Sequence, residues 1–275
     1  MKKGSFSTIF LIVMLVAGLS LVLYPSFSDY WNSLRQTEAI ASYSQQVSSI
    51  QNDQYEQIWA EAIAYNQDLL ARENVYILTE EQKAAYMDQL NITVMNTMGF
   101  IEIPSIDCML PIYHGTDDTV LQIGIGHLDW TSLPTGGEST HCVLSGHRGL
   151  PSARLFTDLD ELAQGDVFML NILDETLTYE VDQIKIVEPH ETDDLLIVPG
   201  KDYCTLVTCT PYGINSHRLL VRGARIENQM QASTVRVTAD AVQIEPVVVA
   251  PFLAVPVLLI LFIGLMIPKP KKNRR

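Results

Sequence analysis

The chain carries two long uncharged segments, and they lie close to its two ends. The first covers residues 6–24 and the second residues 247–267, which are 19 and 21 residues without a charge. A helix rises about 1.5 Å per residue, so each segment is long enough to cross a hydrocarbon core of roughly 30 Å. The pattern therefore predicts two transmembrane helices that flank a central region.

The first segment has an alternative interpretation as a cleaved signal peptide. The apolar core of a signal peptide usually spans about 7–15 residues. This segment is longer, and no clear small-x-small cleavage site follows it, which favours a retained anchor. For the second segment, which contains Pro251 and Pro256, a buried core helix is the alternative. A transmembrane helix is favoured there because it tolerates proline better and because a basic cluster follows.

Basic residues lie beyond the outer end of each uncharged segment. Lys2 and Lys3 precede the first one, and KPKKNRR at 269–275 follows the second. Because positively charged flanks stay in the cytoplasm, both termini are predicted to be cytoplasmic unless the first segment is cleaved. Residues 29 to about 245 then lie on the outer face of a cell membrane.

The central region divides into a helical part and a β-rich part. Apolar residues recur at three- and four-residue spacings from 29 to 70, and Thr79 followed by Gln82 resembles a capping box that opens a short helix to about Leu90. From Gly99 onwards, short β-rich runs are separated by turn residues, which predicts a sandwich or a closed barrel. These runs cover residues 99–106, 120–126, 139–146, 166–173, 177–187, 202–210 and 217–226.

These patterns predict a division of the chain into six parts. The β-rich part is long enough to bury a full core without disulfides. The parts are a cytoplasmic end with the first anchor (1–28), a helical region (29–97), the β-rich domain (98–227), a polar linker (228–246), the second transmembrane helix (247–267) and a basic cytoplasmic tail (268–275).

The charge of the central region excludes one class of partner. The two tails hold 7 of the 18 basic residues and none of the 32 acidic ones, so the part outside carries 11 − 32 = −21. Nucleic-acid binding needs a basic face that contacts phosphates, so no nucleic acid is expected as a partner. An acidic surface instead suits a partner that presents lysines.

Cys209 is the first candidate for chemistry. It ends an apolar strand-like run, a Pro-Tyr-Gly turn follows, and Arg218 opens the next run nine positions later (218 − 209). A strand end lets a nucleophile reach a substrate while the strand holds it rigid. A nearby Arg, with its fixed fork of donors, can stabilise an oxyanion or hold a substrate carbonyl. The alternative is a buried structural cysteine and an Arg paired with a surface acid.

A cysteine nucleophile needs a base or a proton donor, which is usually a histidine. Of the six histidines, His147 stands out because it directly follows a strand-like run and begins a loop. His127 and His114 lie near other strand ends and rank behind it. His217 is adjacent to Arg218, and since successive strand residues face opposite sides, His217 faces away from any groove that Arg218 faces.

No metal or cofactor site is predicted. The sequence contains no CxxC, HxxxH or HExxH spacing, so a zinc site is not expected, and it has neither a GxSxG elbow nor a phosphate-binding glycine loop. The four cysteines allow two disulfides with three possible pairings, or free thiols. They are Cys108, Cys142, Cys204 and Cys209.

The stretch TLVTCTPYGINSHRLLVRG at 205–223 resembles the signature of sortases, the membrane-anchored cysteine transpeptidases of Gram-positive bacteria. Their core pattern is Thr-Leu-x-Thr-Cys with an Arg some nine residues on. The longer form, with Pro-Tyr-Gly after the Cys and then His-Arg-Leu-Leu-Val, resembles class C, the pilin polymerases. IEIPSIDCMLPIYHGT, GIGHLDWTSLPTGGESTHCVLSGHRGLPSARLFTDL and GKDYCTLVTC are also similar to class C sequences. The resemblance covers about residues 98–226, and the second anchor fits that class.

The resemblance implies a fold, a site and a reaction. The fold is mostly β, an eight-stranded sortase-like β-barrel with N-terminal helices and two flanking transmembrane helices. Cys209 is then the nucleophile, His147 the acid/base, and Arg218 the residue that stabilises the oxyanion or positions the substrate. Cys209 attacks the Thr–Gly bond of an LPxTG-like sorting signal, and a thioester acyl-enzyme forms. A lysine amine of another pilin subunit resolves it to an isopeptide bond, without a metal or cofactor.

Two alternatives stand beside the pilin polymerase. A housekeeping-type sortase anchors proteins to the cell-wall precursor and differs in the amine that resolves the thioester. A catalytically silent scaffold only binds pilin signals. The second anchor and the HRLLVRG sequence favour the pilin polymerase, and the intact set of Cys209, His147 and Arg218 argues against the scaffold.

The chain departs from the class C pattern at the lid. Class C sortases usually carry an N-terminal lid with an Asp-Pro-aromatic motif over the cysteine, but here no proline lies between Pro25 and Pro104. A lid is therefore absent or built differently. Tyr76 is a candidate plug, and the alternative is that residues 71–79 are only a connector. The three cysteines other than Cys209 match no family role and are expected to pack as small apolar residues.

Overall fold

The structure, a computed structural model, describes residues 3–72, 74–93 and 96–228. These residues belong to two compact units, one that extends to Asp29 and one that begins at Tyr30. The second transmembrane helix predicted at 247–267 and the basic tail lie outside the described residues, and they stay predictions.

Three helices form the N-terminal region, as the spacing of apolar residues predicted. They are α1 (Lys3–Ser49), α2 (Asn52–Leu70) and α3 (Glu80–Asp88). The most apolar 18-residue window in α1 has a mean hydropathy of 2.2. By length and composition, α1 is the one helix among the described residues that can cross a membrane.

Helix α3 begins with the capping box that the sequence predicted. The Thr79 hydroxyl accepts a hydrogen bond from the Gln82 backbone N–H at 3.2 Å, and the Gln82 side-chain oxygen accepts one from the Thr79 N–H at 2.8 Å. Two backbone donors that a helix start leaves without partners are thereby satisfied. The box determines where α3 begins, and so where the preceding segment 74–79 ends.

Eight strands close into a barrel, which confirms the predicted fold class. Their order around the barrel is β1-β2-β3-β4-β7-β8-β6-β5. Strand β7 lies between β4, to which it is parallel, and β8, to which it is antiparallel. The strands are β1 (Thr97–Ile103), β2 (Cys108–His114), β3 (Ile125–His127), β4 (Thr140–Ser145), β5 (Val167–Ile172), β6 (Glu175–Val187), β7 (Asp202–Thr210) and β8 (His217–Arg225).

The strand prediction was wrong at three places. The last residues of the run 99–106 form a 3₁₀ turn (Pro104–Ile106) and do not belong to β1. The run 120–126 was predicted as one strand, but its first residues belong to the short helix α4 (Asp118–Leu121) and its last to β3. A short apolar run fits either structure, and the turn of helix before β3 was not recognised. Strand β2 was absent from the predicted runs, because Pro111 lies at its centre and proline normally weakens a strand assignment.

The barrel buries apolar side chains on both faces of its sheet. Along β7, Cys204 and Leu206 belong to the interior core, whereas Val207 belongs to a second cluster on the opposite face. This alternation follows from the two-residue period of a strand. We call the second set the outer cluster; it consists of Val143, Val187, Leu195, Val207 and Leu220, with Leu128 and Trp130 packed against it.

Buried polar side chains attach the helices to the barrel. The Tyr43 hydroxyl of α1 donates to the Met98 carbonyl at 2.8 Å and accepts from the Leu173 N–H at 2.6 Å. Asn66 of α2 exchanges two hydrogen bonds with the backbone of Leu133, at 2.7 and 3.1 Å. Because each bond satisfies a backbone group that is shielded from water, the helices are held at defined positions on the barrel.

Candidate active site

Cys209 and Arg218 lie opposite one another on neighbouring strands. Cys209 is near the end of β7, Arg218 is near the start of β8, and the register of the two antiparallel strands pairs them directly. Directly paired residues of an antiparallel pair project to the same face of the sheet. The nine-residue spacing in the sequence therefore makes the two residues direct neighbours on a hairpin whose loop covers residues 211–216.

His147 follows β4, the strand that borders β7 on the side away from β8. The parallel pairing of β4 with β7 runs as far as Ser145 opposite Val207. The Gly146 N–H then donates to the Val207 carbonyl at 3.0 Å, and the Thr208 hydroxyl donates to the Gly146 carbonyl at 2.8 Å. His147, the next residue, therefore leaves β4 at the level where β7 reaches Cys209.

Gly146 permits the close packing that places His147. A Cβ atom at Gly146 would lie 2.6 Å from an atom of the Phe156 ring, which is closer than a side-chain carbon can approach. The Phe156 backbone N–H also donates to the His147 carbonyl at 3.1 Å. The glycine before the histidine thus lets the loop turn against a buried ring directly after the strand.

The three predicted residues form an open arrangement. Cys209, His147 and Arg218 are all partly exposed. Within the described residues, no hydrogen bond joins the thiol, the imidazole and the guanidinium to one another; Arg218 donates from Nη1 to the carbonyls of Asn215 at 3.3 Å and His217 at 3.1 Å. Catalytic hydrogen bonds are often loose before substrate binds, so this arrangement is compatible with an active site at rest.

The competing histidines have structural partners in the barrel. His127 is buried, with the Tyr86 hydroxyl 3.0 Å from Nδ1 and the Ser132 carbonyl 2.8 Å from Nε2. His114 lies between the carbonyls of Asn96 and Gln89, and burial lowers its pKa. Neither ring lies at the end of β7, so neither takes the place of His147.

The outer cluster continues along the strands from the candidate site. Val207 precedes Cys209 by two residues on β7 and pairs with Leu220, which follows Arg218 by two on β8. Residues two apart on a strand share a face, so the apolar side chains and the candidate site lie on one surface. The five residues of the outer cluster are buried, whereas Cys209 and Arg218 are partly exposed; we call this face, with the cluster beneath it, the groove.

Tyr76 lies across the outer cluster. Its ring centroid is 5.0 Å from that of Trp130, in the loop between β3 and β4, and its hydroxyl accepts from the Thr192 hydroxyl at 3.3 Å, in the loop between β6 and β7. Tyr76 is still 46% exposed. The segment 74–79 therefore bridges the loops on the two sides of the groove, and it is more than a connector at this point.

Sequence reasoning missed Arg148, which links the loop after His147 to its surroundings. Its side chain is only 11% exposed, forms an ion pair with Asp160, and lies with its guanidinium carbon 5.8 Å from the Tyr212 ring centroid. Tyr212 belongs to the loop that follows Cys209. The position of Arg148 next to His147 could have drawn attention to it in the sequence. Spacing alone could not show that Asp160 and Tyr212 are its partners.

Two of the remaining cysteines are buried, and Cys108 is partly exposed, as Cys209 is. Cys142 and Cys204 are buried inside the barrel, and Cys108 is partly buried with its Sγ 3.9 Å from the Leu155 carbonyl oxygen. Burial raises the pKa of Cys108 to about 12, so this thiol stays protonated and unreactive. Among the residues the structure describes, no group of three or more His, Cys, Asp or Glu side chains is placed to hold a metal ion.

Comparison with known proteins adds to this geometry. A family model described as "Sortase domain" matches residues 101–226. Sortase D of Bacillus subtilis (strain 168) is 34% identical over 131 residues; the match covers 46% of this chain and 63% of that relative, which is less than two thirds of its length.

Solved structures show the same similarity over longer stretches. The crystal structure of sortase C1 from Streptococcus agalactiae is 51% identical, with a TM-score of 0.67, and the match covers 70% of this chain and 99% of that chain. The structure of Clostridium perfringens sortase C with the C-terminal cell wall sorting motif is 46% identical, with a TM-score of 0.62, and the match covers 70% of this chain and 99% of that chain.

Proposed function

Since the chain belongs to the sortase family, and its structural neighbours are sortases of class C, we propose that it is a cysteine transpeptidase that joins pilin subunits. It cleaves an LPxTG-like sorting signal and transfers the acyl group to a lysine amine of another pilin subunit. The observation that carries the proposal is the position of Cys209 opposite Arg218, with His147 leaving the adjacent strand at the same level.

The first half of the reaction forms the thioester. Cys209 Sγ attacks the carbonyl carbon of the Thr–Gly bond, and the carbonyl oxygen becomes an oxyanion that the Arg218 guanidinium stabilises. His147 donates a proton to the glycine amine as the C–N bond breaks. The acyl group stays on Cys209, and the peptide that begins with glycine leaves.

The second half of the reaction releases the joined product. The lysine amine attacks the thioester carbon, His147 accepts a proton from the amine, and Cys209 leaves as the isopeptide bond forms. A histidine suits both roles because its ordinary pKa lies near neutrality. The net charge of −21 that the sequence predicts for the outer part suits the approach of a lysine-bearing partner.

The outer cluster is the proposed floor of the binding site for the apolar part of the sorting signal; its five residues are buried in this structure, so a ligand reaches them only after the residues that cover them move. The cluster adjoins Cys209 and Arg218 on the same face and is bordered by the loops that carry Trp130 and Thr192. The similarity to a sortase C solved with a C-terminal cell wall sorting motif supports a ligand of this kind. A leucine and a proline side chain would each gain by leaving water on such a surface.

The proposed location is the outer face of a cell membrane. Helix α1 supplies an anchor of sufficient length and hydropathy, and the basic residues of the sequence favour cytoplasmic termini. A membrane anchor holds the enzyme where exported pilins emerge. The housekeeping-type sortase remains the second candidate, and it differs in the amine that it accepts.

The full-length chain in detergent tests the proposal. It is incubated with a fluorescent LPxTG-type peptide and hydroxylamine, which captures the acyl group, and the products are separated by chromatography. We expect cleavage at the Thr–Gly bond and a hydroxamate product. Cys209→Ala, His147→Ala and Arg218→Ala should each reduce the rate, by about 1000-fold or more for Cys209→Ala, because no thioester can form without the thiol.

Two variants serve as matched controls for these substitutions. Cys108→Ala removes a thiol from another strand, and His190→Ala removes a histidine whose side chain is 79% exposed. Both should keep the wild-type rate. Cleavage that survives Cys209→Ala would overturn the assignment of the nucleophile. A product formed with a cell-wall-type oligoglycine amine, but not with a lysine-bearing pilin peptide, would favour the housekeeping-type alternative.

A further inference from the structure

Cys142 and Cys204 lie opposite one another inside the barrel. They are direct partners in the register of the parallel strands β4 and β7. Their exposed fractions are 2% and 0%, and both belong to the interior core. Neighbouring strands lie about 4.8 Å apart, which is within the range of roughly 4.4–6.8 Å found between the Cα atoms of disulfide-bonded cysteines.

Both side chains also face the interior of the barrel. Leu144 and Leu206 lie two residues after Cys142 and Cys204, so they face the same side of the sheet. They also pair directly with each other and are buried in the interior core. Both thiols are free in this structure. The pair therefore satisfies the two conditions that a disulfide needs, which are a short separation of the strands and converging side chains.

We propose that Cys142 and Cys204 form a reversible disulfide bond across β4 and β7. The oxidant is a disulfide compound outside the cell, either a small molecule or a thiol–disulfide exchange protein. The thiolate of one cysteine attacks it and displaces one thiolate, which leaves a mixed disulfide. The second cysteine then displaces the other thiolate and closes the protein disulfide. The pair loses two protons and two electrons, and the oxidant becomes two thiols.

The structure favours this bond among the six single disulfides that four cysteines allow. Cys108 lies on β2, which is adjacent to β1 and β3 but not to β4 or β7. Cys209 lies on the outer face of β7, whereas Cys204 of the same strand faces the interior. A bond between Cys142 and Cys204 therefore leaves Cys209 free, and it does not depend on the reaction proposed for that thiol.

The bond would link the two strands that carry the candidate site. Cys142 lies five residues before His147, and Cys204 lies five residues before Cys209 (147 − 142 and 209 − 204). A covalent link at this level keeps the strands from sliding or separating. It also closes a long loop in the unfolded chain, which favours the folded state.

The burial of the pair determines the conditions of the test. Both thiols are buried in the closed barrel, so an oxidant reaches them only when the strands open locally. The full-length Cys209→Ala chain, in which the exposed thiol cannot react, is equilibrated in detergent with glutathione buffers a few degrees below its unfolding temperature. Free thiols are then alkylated in denaturant, and the digested protein is examined by mass spectrometry.

We expect a cross-linked peptide that contains Cys142 and Cys204 and that increases with the proportion of oxidised glutathione. The unfolding temperature of the oxidised sample should rise by roughly 5–10 °C and return after reduction. Cys204→Val in the same background should lose both effects, whereas Cys108→Ala should keep them. Full alkylation of Cys142 and Cys204 in oxidised buffer, or attachment of either one to glutathione or to Cys108 instead, would overturn the proposal.

Discussion

Arg148 occupies a position from which it can hold the His147 loop in place. Its guanidinium pairs with Asp160 and lies against the ring of Tyr212, in the loop that follows Cys209. The Gly149 N–H also donates to the Thr157 hydroxyl at 3.1 Å, which fixes the next residue of the same loop. The side chain therefore connects the loop of the candidate base with the loop of the candidate nucleophile.

Replacement of Arg148 tests this connection at the residue scale. Arg148→Met keeps the apolar stem of the side chain and removes its charge. We expect kcat for peptide cleavage to fall by about 10-fold, because His147 is displaced. KM should change little, because the binding surface keeps its position. Arg154→Met, which changes an Arg of the same loop whose side chain is 51% exposed and ion-paired with Asp158, is the control. A change confined to KM would contradict the role given to Arg148.

The residue contacts that could be predicted are those within one hairpin. The nine-residue spacing of Cys209 and Arg218, with a turn sequence between them, was sufficient to place the two side chains together. The approach of His147 depends on the parallel pairing of β4 with β7, which the sequence did not predict; the family resemblance implied only the role of His147. Parallel neighbours are joined by long connections, so spacing in the sequence does not reveal them.

At the scale of elements, the segment 74–79 lies where it can limit access to the groove. Tyr76 bridges the loops that carry Trp130 and Thr192, although the segment lacks the Asp-Pro-aromatic motif. One aromatic contact and one hydrogen bond at 3.3 Å hold Tyr76 there. Contacts of this number are weak enough for the segment to open at ordinary temperature.

Removal of the Tyr76 ring should make the groove more accessible. A pair of aromatic rings contributes about 0.5–1.5 kcal/mol, so Tyr76→Ala should increase the rate at which a bulky maleimide modifies Cys209 by about 2- to 10-fold. Ile77→Ala, at a neighbouring side chain that is 73% exposed, should leave the rate unchanged. Equal rates in the wild type and in Tyr76→Ala would show that the segment does not restrict the thiol.

Local sequence determined some elements and not others. The capping box at Thr79 and Gln82 was readable because both partners lie within one turn, and α3 begins where it predicts. The run 120–126 was misread because a short apolar run fits a helix or a strand, and its first residues belong to α4. Pro111 at the centre of β2 is buried and paired with Phe100 of β1, so strand pairing in the barrel overrides the weak strand preference of proline.

At the scale of the whole molecule, the helices are held on the barrel by apolar packing and by a few buried polar contacts. Tyr43 connects α1 to both the Met98 carbonyl and the Leu173 N–H, at positions 55 and 130 residues away in the sequence. Burial raises the pKa of Tyr43, so its hydroxyl stays neutral and available as donor and acceptor. Contacts over such separations cannot be read from the sequence, although the helices themselves could.

Tyr43→Phe tests this attachment. It removes one hydroxyl and leaves a backbone carbonyl and a backbone N–H without their partner, so we expect the free energy of unfolding to fall by about 2–4 kcal/mol. Denaturant unfolding of the full-length chain in detergent, followed by tryptophan fluorescence, measures the change. Tyr30→Phe, at a side chain that is 61% exposed, is the control, and an equally small effect of both would contradict the attachment.

The closed barrel also restricts how an extended ligand can be held. Each of the eight strands is hydrogen-bonded to a neighbour on either side, so the sheet has no open edge. Many peptide-binding domains capture an extended segment by adding it to an edge as one more strand, a mode called β-augmentation. That mode is not open to this barrel. Under the proposed function, discrimination between peptides must come from side-chain pockets and loops. The described strands also leave no sheet edge through which copies of the chain could aggregate.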